Sequence, residues 1–408
     1  MDSLQDALEE ALAGAPYQFA AEAVSEKLAA KGVELTAFER EQLVHHLKAG
    51  TGDVFSLEQS HPLESVDLSI EITEADLEAI HDRFDEFLSN RLPVLIGSLT
   101  EDLAESILPT LHASWEKELR RQNRERHSFE KRLHQRWGKA IELLRMSLTV
   151  SREFGEMVST SLESNPDFAS SCLVDVLRRL HARACQVTDE ILCLLAAGFS
   201  DGAMARWRTL HEIAIVALFI KEHGEDVARR YIDHEVIESA RAVRDYDECY
   251  ERLGYEPMEE SELEAIRLAH EKAVSDYGPA FDTPYGWAAD ALGIKRPILR
   301  DIEKAAGIDH LKAHYRLASH NVHANPKGVF FKLGLLDEID VLLAGPSNVG
   351  LADPGHSAAI SLLQVSVALG LIEPTLDSLV CLRIIGRLTD EIGEAFHEAH
   401  QQLQKDAG

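Results

Sequence analysis

Two long apolar stretches joined by a short turn decide the fold. Residues 168–224 read FASSCLVDVLRRLHARACQVTDEILCLLAAGFSDGAMARWRTLHEIAIVALFIKEHG. In the first stretch apolar side chains recur every three or four residues, which is the spacing of one helix face: Leu173, Val176, Leu177, Leu180, Ala184, Val187, Ile191, Leu194 and Leu195. The turn GFSDG (198–202) leads into a second apolar helix that ends near Gly224. Two long apolar helices joined by five residues predict an antiparallel hairpin, the nucleus of a helical bundle.

Helix signals extend over most of the remaining chain. Asn165 followed by Pro166 predicts the start of the first hairpin helix, and Thr36 with Glu39 has the spacing of a capping box. The exception is residues 328–344, where two short apolar runs with glycines at their edges predict at most one small β-hairpin. We therefore predict an all-α protein, a helical bundle with an additional N-terminal helical region.

Gly-, Ser- and Pro-rich stretches suggest where this chain divides. Such stretches occupy residues 50–66 and 159–168. We predict a small N-terminal helical segment over residues 1–50 and a long-helix region with a basic stretch over 67–160. The C-terminal helical bundle then covers residues 165–408, and the length of 408 residues is compatible with two or three domains.

Composition limits the function classes. The net charge of −29 repels nucleic acid at long range and argues against binding to a membrane surface, so any RNA site needs a local basic patch. The longest clean apolar run has eight residues from Ile213, far below the roughly 20 that span a bilayer. The five cysteines form no CxxC pair, which favours a reducing cytoplasm.

Residues 117–139 are the most basic part of the chain. They hold three glutamates against nine basic residues, namely Lys117, Arg120, Arg121, Arg124, Arg126, Lys131, Arg132, Arg136 and Lys139. One interpretation is a solvated helix with ion pairs four residues apart. The other is a patch for RNA or for an acidic protein partner.

One candidate site is the stretch HYRLASHNVHANPKG, residues 314–328. On a helix, Arg316, His320 and His323 lie at i, i+4 and i+7 and share one face, with Ser319 beside them. An imidazole can move a proton near neutral pH, and a guanidinium can hold a phosphate or a carboxylate. The alternative is that these side chains only hydrogen-bond to nearby carbonyls or carboxylates.

A second constellation lies on the second hairpin helix. Arg208 and Glu212 are four residues apart and lead into an apolar face. They either pair with each other and orient the hairpin, or they point toward the helix of Arg316 and His323. In the second case Glu212 could accept a proton from an imidazole and fix its tautomer. His211 is offset from this face and carries less weight.

Other chemistry has little support in the sequence. No HExxH motif, Walker A loop, GxGxxG motif after a strand or GxSxG elbow occurs. We therefore expect neither a metal nor a cofactor.

The two constellations together resemble a bacterial, all-helical family of unknown function, number 5677. Its members have an Arg-x-Leu-x-Glu-like helix followed by a Tyr-x-x-x-Ser-x-x-x-His-like helix. The matching residues here are Arg208, Leu210 and Glu212, and then the series Tyr315, Ser319 and His323. The resemblance covers roughly residues 170 to 325 and implies a helical fold and a bacterial source, without an activity.

The stretch from Arg316 to His323 is also similar to the Arg-x4–6-His signature of HEPN ribonucleases, which occur in toxin–antitoxin and anti-phage systems. This resemblance implies that the Arg and His of two protomers meet across a dimer. It also implies RNA cleavage without metal, by attack of the 2′-hydroxyl on the neighbouring phosphate. Arg316 would stabilise the charge of the phosphorane and His323 would move a proton.

The resulting hypothesis is a cytoplasmic bacterial bundle with a polar pocket, a candidate endoribonuclease. Its expected catalytic residues are Arg316, His323, His320 and Glu212, and its expected binding residues are Arg208, Ser319 and Tyr315. The expected partners are RNA at residues 117–139, a second copy of the chain, and a protein encoded nearby, with no membrane. The alternative is a non-catalytic sensor or partner-binding protein, whose charged cluster is structural or binds a small anion.

Overall fold

The computed structural model describes residues 4–50, 52, 54–56, 68–323, 326–336 and 341–407. All regular structure in these ranges is helical, which confirms the all-α class. The helices of the N-terminal part are α1 (Leu4–Ala30), α2 (Ala37–Ala49), α3 (Glu74–Glu86) and α4 (Leu92–Ser164), with a π-helical turn at Phe87–Arg91. None of the helices in the described ranges is long and apolar enough to cross a membrane.

The C-terminal helices follow in close succession. They are α5 (Cys172–Ala196), α6 (Ser200–His223), α7 (Glu225–Asp233), α8 (Glu235–Asp247), α9 (Tyr250–Leu253), α10 (Glu260–Tyr277), α11 (Ala289–Leu292), α12 (Leu299–Ala305), α13 (Lys312–Val322), α14 (Pro326–Phe330), α15 (Ala352–Gly370) and α16 (Leu376–Ala407). Short 3₁₀ turns lie at Pro166–Phe168, Pro279–Phe281, Gly286–Ala288 and Asp309–Leu311.

The chain forms two compact units, Met1–Arg121 and Gln122–Gly408. The division falls inside α4, so this one helix contributes to both units. The three-part division drawn from the sequence stays a prediction.

The first unit has a small core of its own. Ala21, Leu35 and Leu43 are buried there. The capping box of Thr36 and Glu39 at the start of α2 is confirmed, because each residue bonds to the backbone N–H of the other. Satisfying these free N–H groups stabilises a helix end that has little packing to hold it.

The second unit is built on the α5–α6 hairpin that the sequence predicts. Gly198 turns the chain between the two helices with φ +82°, a conformation that side chains other than glycine rarely adopt. Helix α15 packs against both α5 and α6. The fully buried Trp207 ties α6 to α15, because its indole N–H donates to the Ser357 carbonyl at 2.9 Å and to Ser361 Oγ at 3.0 Å.

Two local predictions need correction. The first hairpin helix begins at Cys172, capped by Ser171, and Asn165 instead caps the short 3₁₀ turn. The β-hairpin over 328–344 is not supported: residues 328–330 belong to α14, no strand occurs in the described part of that range, and residues 337–340 lie outside the described residues. Pro326 is preorganised for a first helical turn, which is why this short apolar run forms a helix.

Candidate functional site

Helices α6 and α13 meet through three polar side chains, which we call the α6–α13 cluster: Arg208, Glu212 and Tyr315. The Tyr315 hydroxyl donates to Glu212 Oε1 at 2.6 Å. Arg208 Nη2 lies 3.1 Å from the same oxygen, and the guanidinium carbon lies 5.0 Å from the centre of the Tyr315 ring. The cluster therefore joins a carboxylate, a cation and a phenol in one contact between two helices.

The surroundings of Tyr315 keep its hydroxyl protonated. Burial raises the pKa of Tyr315 well above its ordinary value, and the hydrogen bond to Glu212 raises it further. A phenol that holds its proton is a lasting hydrogen-bond donor. Tyr315 is accordingly suited to fixing α13 on α6, and it is poorly suited to act as a base.

A buried histidine lies next to this cluster. His211 is fully buried, its Nε2 lies 3.1 Å from Oε1 of the buried Glu303, and its ring stacks on Trp207 at 5.2 Å between centroids. The Tyr315 ring is 5.9 Å away. Burial lowers the pKa of His211, although Glu303 acts in the opposite direction. Nδ1 of His211 has no hydrogen-bond partner among the described residues.

Sequence reasoning gave His211 little weight and missed Trp207 and Glu303. His211 is sequence-adjacent to Glu212, so a search for ionisable neighbours would have kept it. Glu303 lies 92 residues further along the chain on α12. No local pattern marks it, because its pairing with His211 arises only when α12 packs on α6.

The remaining predicted residues occupy the rest of α13. Arg316 and His323 are exposed, and neither side chain makes a hydrogen bond or ion pair within the described part of the chain. Ser319 is half-buried, and its hydroxyl donates to the Tyr315 carbonyl at 2.9 Å. His320 is half-buried too. The structure thus gathers Arg208, Glu212 and Tyr315, and it gives Glu212 a phenol as its partner where the sequence suggested an imidazole.

His323 lies directly after α13, whose last residue is Val322, so it does not continue the helical face of Arg316 and His320 that the i, i+4, i+7 spacing predicts. Its backbone has left the helix, with φ −109° and ψ 139°, and its N–H donates to the Ser319 carbonyl at 3.3 Å. Helix α14 passes close by, since a Cβ on Gly328 would lie 1.9 Å from the His320 carbonyl oxygen. Only glycine permits this approach of the two backbones.

An exposed apolar surface accompanies the end of α13. It consists of Val322, Val329 and Phe330, and the last of these is 87% exposed. We call it the α13–α14 apolar surface. Large apolar side chains exposed beside polar ones are typical of surfaces that bind a partner.

The basic stretch contains several ion pairs. Arg120 lies 3.2 Å from Glu116, Arg126 lies 2.9 Å from Glu130, and Arg121 pairs with Glu118. Lys139 reaches Glu398 of α16 at 3.1 Å. These pairs agree with a solvated helix, whereas Lys117, Arg124, Lys131 and Arg132 are exposed. RNA binding by this stretch stays a prediction.

A metal centre and a charged groove have little support among the described residues. Within the described ranges, no three His, Cys, Asp or Glu side chains are grouped as a metal ion would need. A groove of about 540 Å³ between α4 and α5 is lined by Arg152, Arg178, His181 and Cys185 among others. Its arginines pair with Asp189 and Glu163, so the groove offers little uncompensated charge.

Comparison with known proteins gives one match. No curated protein and no solved structure matches the chain. Residues 174–339 match the model of a family described as "Family of unknown function (DUF5677)". This segment holds both the α6–α13 cluster and the pair Arg316 and His323, and it is similar to that family of unknown function.

Proposed function

We propose that this protein is a metal-independent endoribonuclease of the HEPN type that acts in the bacterial cytoplasm, within a toxin or anti-phage defence system. Arg316 and His323 are its catalytic residues. One observation carries the proposal: on α13 these two side chains are exposed and have no partner among the described residues, whereas Tyr315 beside them is bonded. Free cationic and imidazole groups are what an incoming phosphodiester requires.

The reaction follows from these two groups. His323 takes the proton of the ribose 2′-hydroxyl, and the 2′-oxygen forms a bond to the adjacent phosphorus. Arg316 donates hydrogen bonds to the phosphoryl oxygens, where negative charge accumulates. The bond from phosphorus to the 5′-oxygen then breaks and that oxygen takes a proton from solvent water, which leaves a 2′,3′-cyclic phosphate and a 5′-hydroxyl.

The neighbouring residues have supporting roles in this proposal. Glu212 and Arg208 hold Tyr315, and Tyr315 precedes Arg316 directly, so the cluster fixes the position of the catalytic helix. Ser319 and His320 lie between the two catalytic residues and contact the bound RNA. A group that must lie within a fraction of an ångström of its target needs such a rigid base.

A second copy of the chain completes the site. The α13–α14 apolar surface lies next to His323 and is suited to meet its own copy across a twofold axis, which would bring two pairs of Arg316 and His323 together. RNA also binds the exposed basic residues of 117–139, which offset the acidic charge of the whole chain. A protein encoded nearby restrains the activity.

The test uses the purified chain with fluorescent RNA in the presence of EDTA. Arg316→Ala and His323→Ala should each lower the cleavage rate at least 100-fold, because each removes a group that acts in the transition state. The matched control is His314→Ala, an exposed histidine on the same helix. The products should carry 2′,3′-cyclic phosphate ends.

Two results would refute the proposal. One is a wild-type chain that neither cleaves RNA nor arrests growth when it is expressed. The other is cleavage that persists in both catalytic variants, since the activity would then arise elsewhere or from a contaminant.

The alternative, a non-catalytic sensor, draws on a different observation. The Nε atom of Arg208 and the Nδ1 atom of His211 are both buried without a hydrogen-bond partner in the described part of the chain. Unsatisfied buried polar atoms are costly, and a small anion beside Arg208 would satisfy one of them. In this case inorganic phosphate should raise the melting temperature of the wild type and leave Arg208→Met unchanged, and RNA cleavage should be absent.

A further inference from the structure

The first part of α4 differs from the rest of this helix in its lack of packing. Between residues 92 and 121 no side chain is buried, and only Leu92, Leu103 and Glu118 are half-buried. The first buried side chain of α4 is Leu133. We call residues 92–121 the bare segment. Most helices in proteins owe their stability to packing of an apolar face, so a bare helix of 30 residues is unusual.

The bare segment nevertheless has many large apolar side chains. Nine of them are between 36% and 70% exposed: Val94, Leu95, Ile96, Leu99, Ile107, Leu108, Leu111, Trp115 and Leu119. Together they expose on the order of 800 Å² of apolar surface, spread around the helix because successive residues point about 100° apart, so one face supplies part of the area that each partner contributes to an interface of standard size. A monomer rarely exposes more than a few hundred Å² of contiguous apolar surface.

Five apolar residues of this segment form one ridge. Leu103, Ile107, Leu111, Trp115 and Leu119 follow each other every four residues. Residues with this spacing form one of the two rows along which helices interdigitate, and packing such rows against each other is the commonest helix–helix contact. The ridge is therefore suited to receive another helix with the same spacing.

The spacing of this ridge matches that of a second, antiparallel copy. Leu103 and Leu119 are equally far from Leu111 along the chain, and so are Ile107 and Trp115. If two copies cross in opposite directions at Leu111, Ile107 of each copy lies level with Trp115 of the other, whereas Leu103 and Leu119 are turned about 80° to either side of the contact. A contact of this kind is closed by a twofold axis and does not grow into a filament.

The distribution of charged residues along the bare segment also favours an antiparallel pair. The carboxylates of Glu101, Asp102 and Glu105 lie ten, nine and six residues before Leu111. The basic groups of Lys117, Arg120 and Arg121 lie six, nine and ten residues after it. Glu116 and Glu118 also lie in this second half, where they pair with Arg120 and Arg121. An antiparallel pair still brings the acidic half level with the half that is basic in sum, whereas a parallel pair brings the three carboxylates together. Exposed ion pairs add little stability, but repulsion between like charges is enough to select an orientation.

We propose that the bare segment of α4 is a self-association helix, which pairs antiparallel with a second copy of this chain and crosses it at Leu111. This inference is independent of the proposed ribonuclease function. It concerns residues 92–121 alone, whereas the nuclease dimer uses the α13–α14 apolar surface.

Sedimentation of the full chain over a range of concentrations provides the first test. All proteins carry Phe330→Glu, so that the α13–α14 apolar surface does not contribute. The parent should be dimeric at micromolar concentration, and Leu111→Glu should raise the dissociation constant at least 100-fold, because two carboxylates would meet on the twofold axis. Ala113→Glu is the matched control: Ala113 is exposed two residues from Leu111 and points to the opposite side of the helix, so the change should have little effect. Circular dichroism should show unchanged helix content in both variants.

Cysteine cross-linking then tests the orientation. Leu111→Cys should form a disulfide with its own copy, and Ile107→Cys should cross-link to Trp115→Cys when the two proteins are mixed, above the background of the native cysteines. A monomeric parent at all concentrations would overturn the proposal, and so would a dimer that Leu111→Glu leaves intact. Cross-linking of Ile107→Cys with itself would show a parallel pair and also contradict it. Binding of the parent to lipid vesicles in place of self-association would identify a membrane as the occupant and would equally overturn it.

Discussion

Tyr315 and Arg316 are neighbours in sequence, yet their surroundings have little in common. The hydroxyl of Tyr315 is bonded to Glu212, and its ring lies under the guanidinium of Arg208. Arg316 is exposed and, like His323, has no partner in the described part of the chain. Successive residues of a helix point about 100° apart, so one packs on α6 while the next faces water. From the sequence alone, Tyr315 and Arg316 are equally plausible functional residues. Packing distinguishes Tyr315, which holds α13 on α6, from Arg316, which is exposed.

This contrast predicts that the inner polar groups determine stability and the outer ones determine activity. The largest effects on the free energy of unfolding are therefore expected at the buried groups and the smallest at Arg316 and His323.

Replacing Trp207 by Ala should have the largest effect. Trp207 is fully buried, stacks on His211 and bonds to two groups of α15. Removing a buried aromatic side chain costs about 3–5 kcal/mol, through lost burial and a residual cavity. Urea unfolding of the purified chain measures this loss. A loss below about 1 kcal/mol would mean that the inner side is not the core that the structure describes.

Lowering the pH should reduce the free energy of unfolding of the second unit, because the buried His181 resists protonation. His181 is buried against α4 and α15, with Ser366 Oγ 3.2 Å from its Nε2, and burial lowers its pKa from 6.5 to about 4. The unfolded chain binds this proton below pH 6.5 and the folded chain does not. Stability is therefore fully present above pH 6.5 and falls as the pH decreases toward 4, by about 3 kcal/mol for a shift of this size.

Chemical unfolding at a series of pH values measures this effect. The matched variant His181→Gln lacks the titrating group, so the difference between wild type and variant should shrink between pH 7 and pH 4. A difference that stays constant over this range would show that His181 does not titrate as proposed.

Tyr315→Phe should have an intermediate effect. The change removes only the hydroxyl and leaves the partly buried Glu212 with Arg208 as its remaining partner. A hydrogen bond to a charged group is worth about 1.5–3 kcal/mol, and partial exposure of this cluster places the loss near the lower end. A double-mutant cycle with Glu212→Gln should show coupling between the two sites. Purely additive losses would mean that the bond contributes nothing.

Arg316→Ala and His323→Ala should have the smallest effect on stability. Exposed residues without partners usually change the free energy of unfolding by less than about 0.5 kcal/mol. The same two variants should show the largest loss of RNA cleavage, so stability and activity should separate completely on this side of α13. Thermal unfolding and the cleavage assay on the same preparations check this. Unfolding of either variant at a much lower temperature would place these residues on the structural side of the comparison.

Much of the architecture could be predicted from periodicity. The apolar spacing of residues 173–195 and the glycine-containing turn after them indicated the α5–α6 hairpin, because burial of one helix face is encoded every three or four residues. The capping box at Thr36 could also be predicted, because it joins residues only three positions apart. The β-hairpin predicted over 328–344 is not supported. A short apolar run is compatible with both a strand and a helical turn, and Pro326 together with the neighbouring α13 decides between them.

The sequence by itself determined the helical class, the α5–α6 hairpin, and the presence of Arg208, Glu212, Tyr315 and Arg316 on two helices; His323, expected on the second of them, lies just after its end. All of this rests on local spacing and on residue types. Only the tertiary structure decided that Glu212 bonds to Tyr315, that His211 meets Glu303, and that Arg316 and His323 are left exposed. Those outcomes depend on how α12 and α13 rotate as they pack on α6, and the rotation is set by the summed contacts of whole helix faces, which no short motif contains.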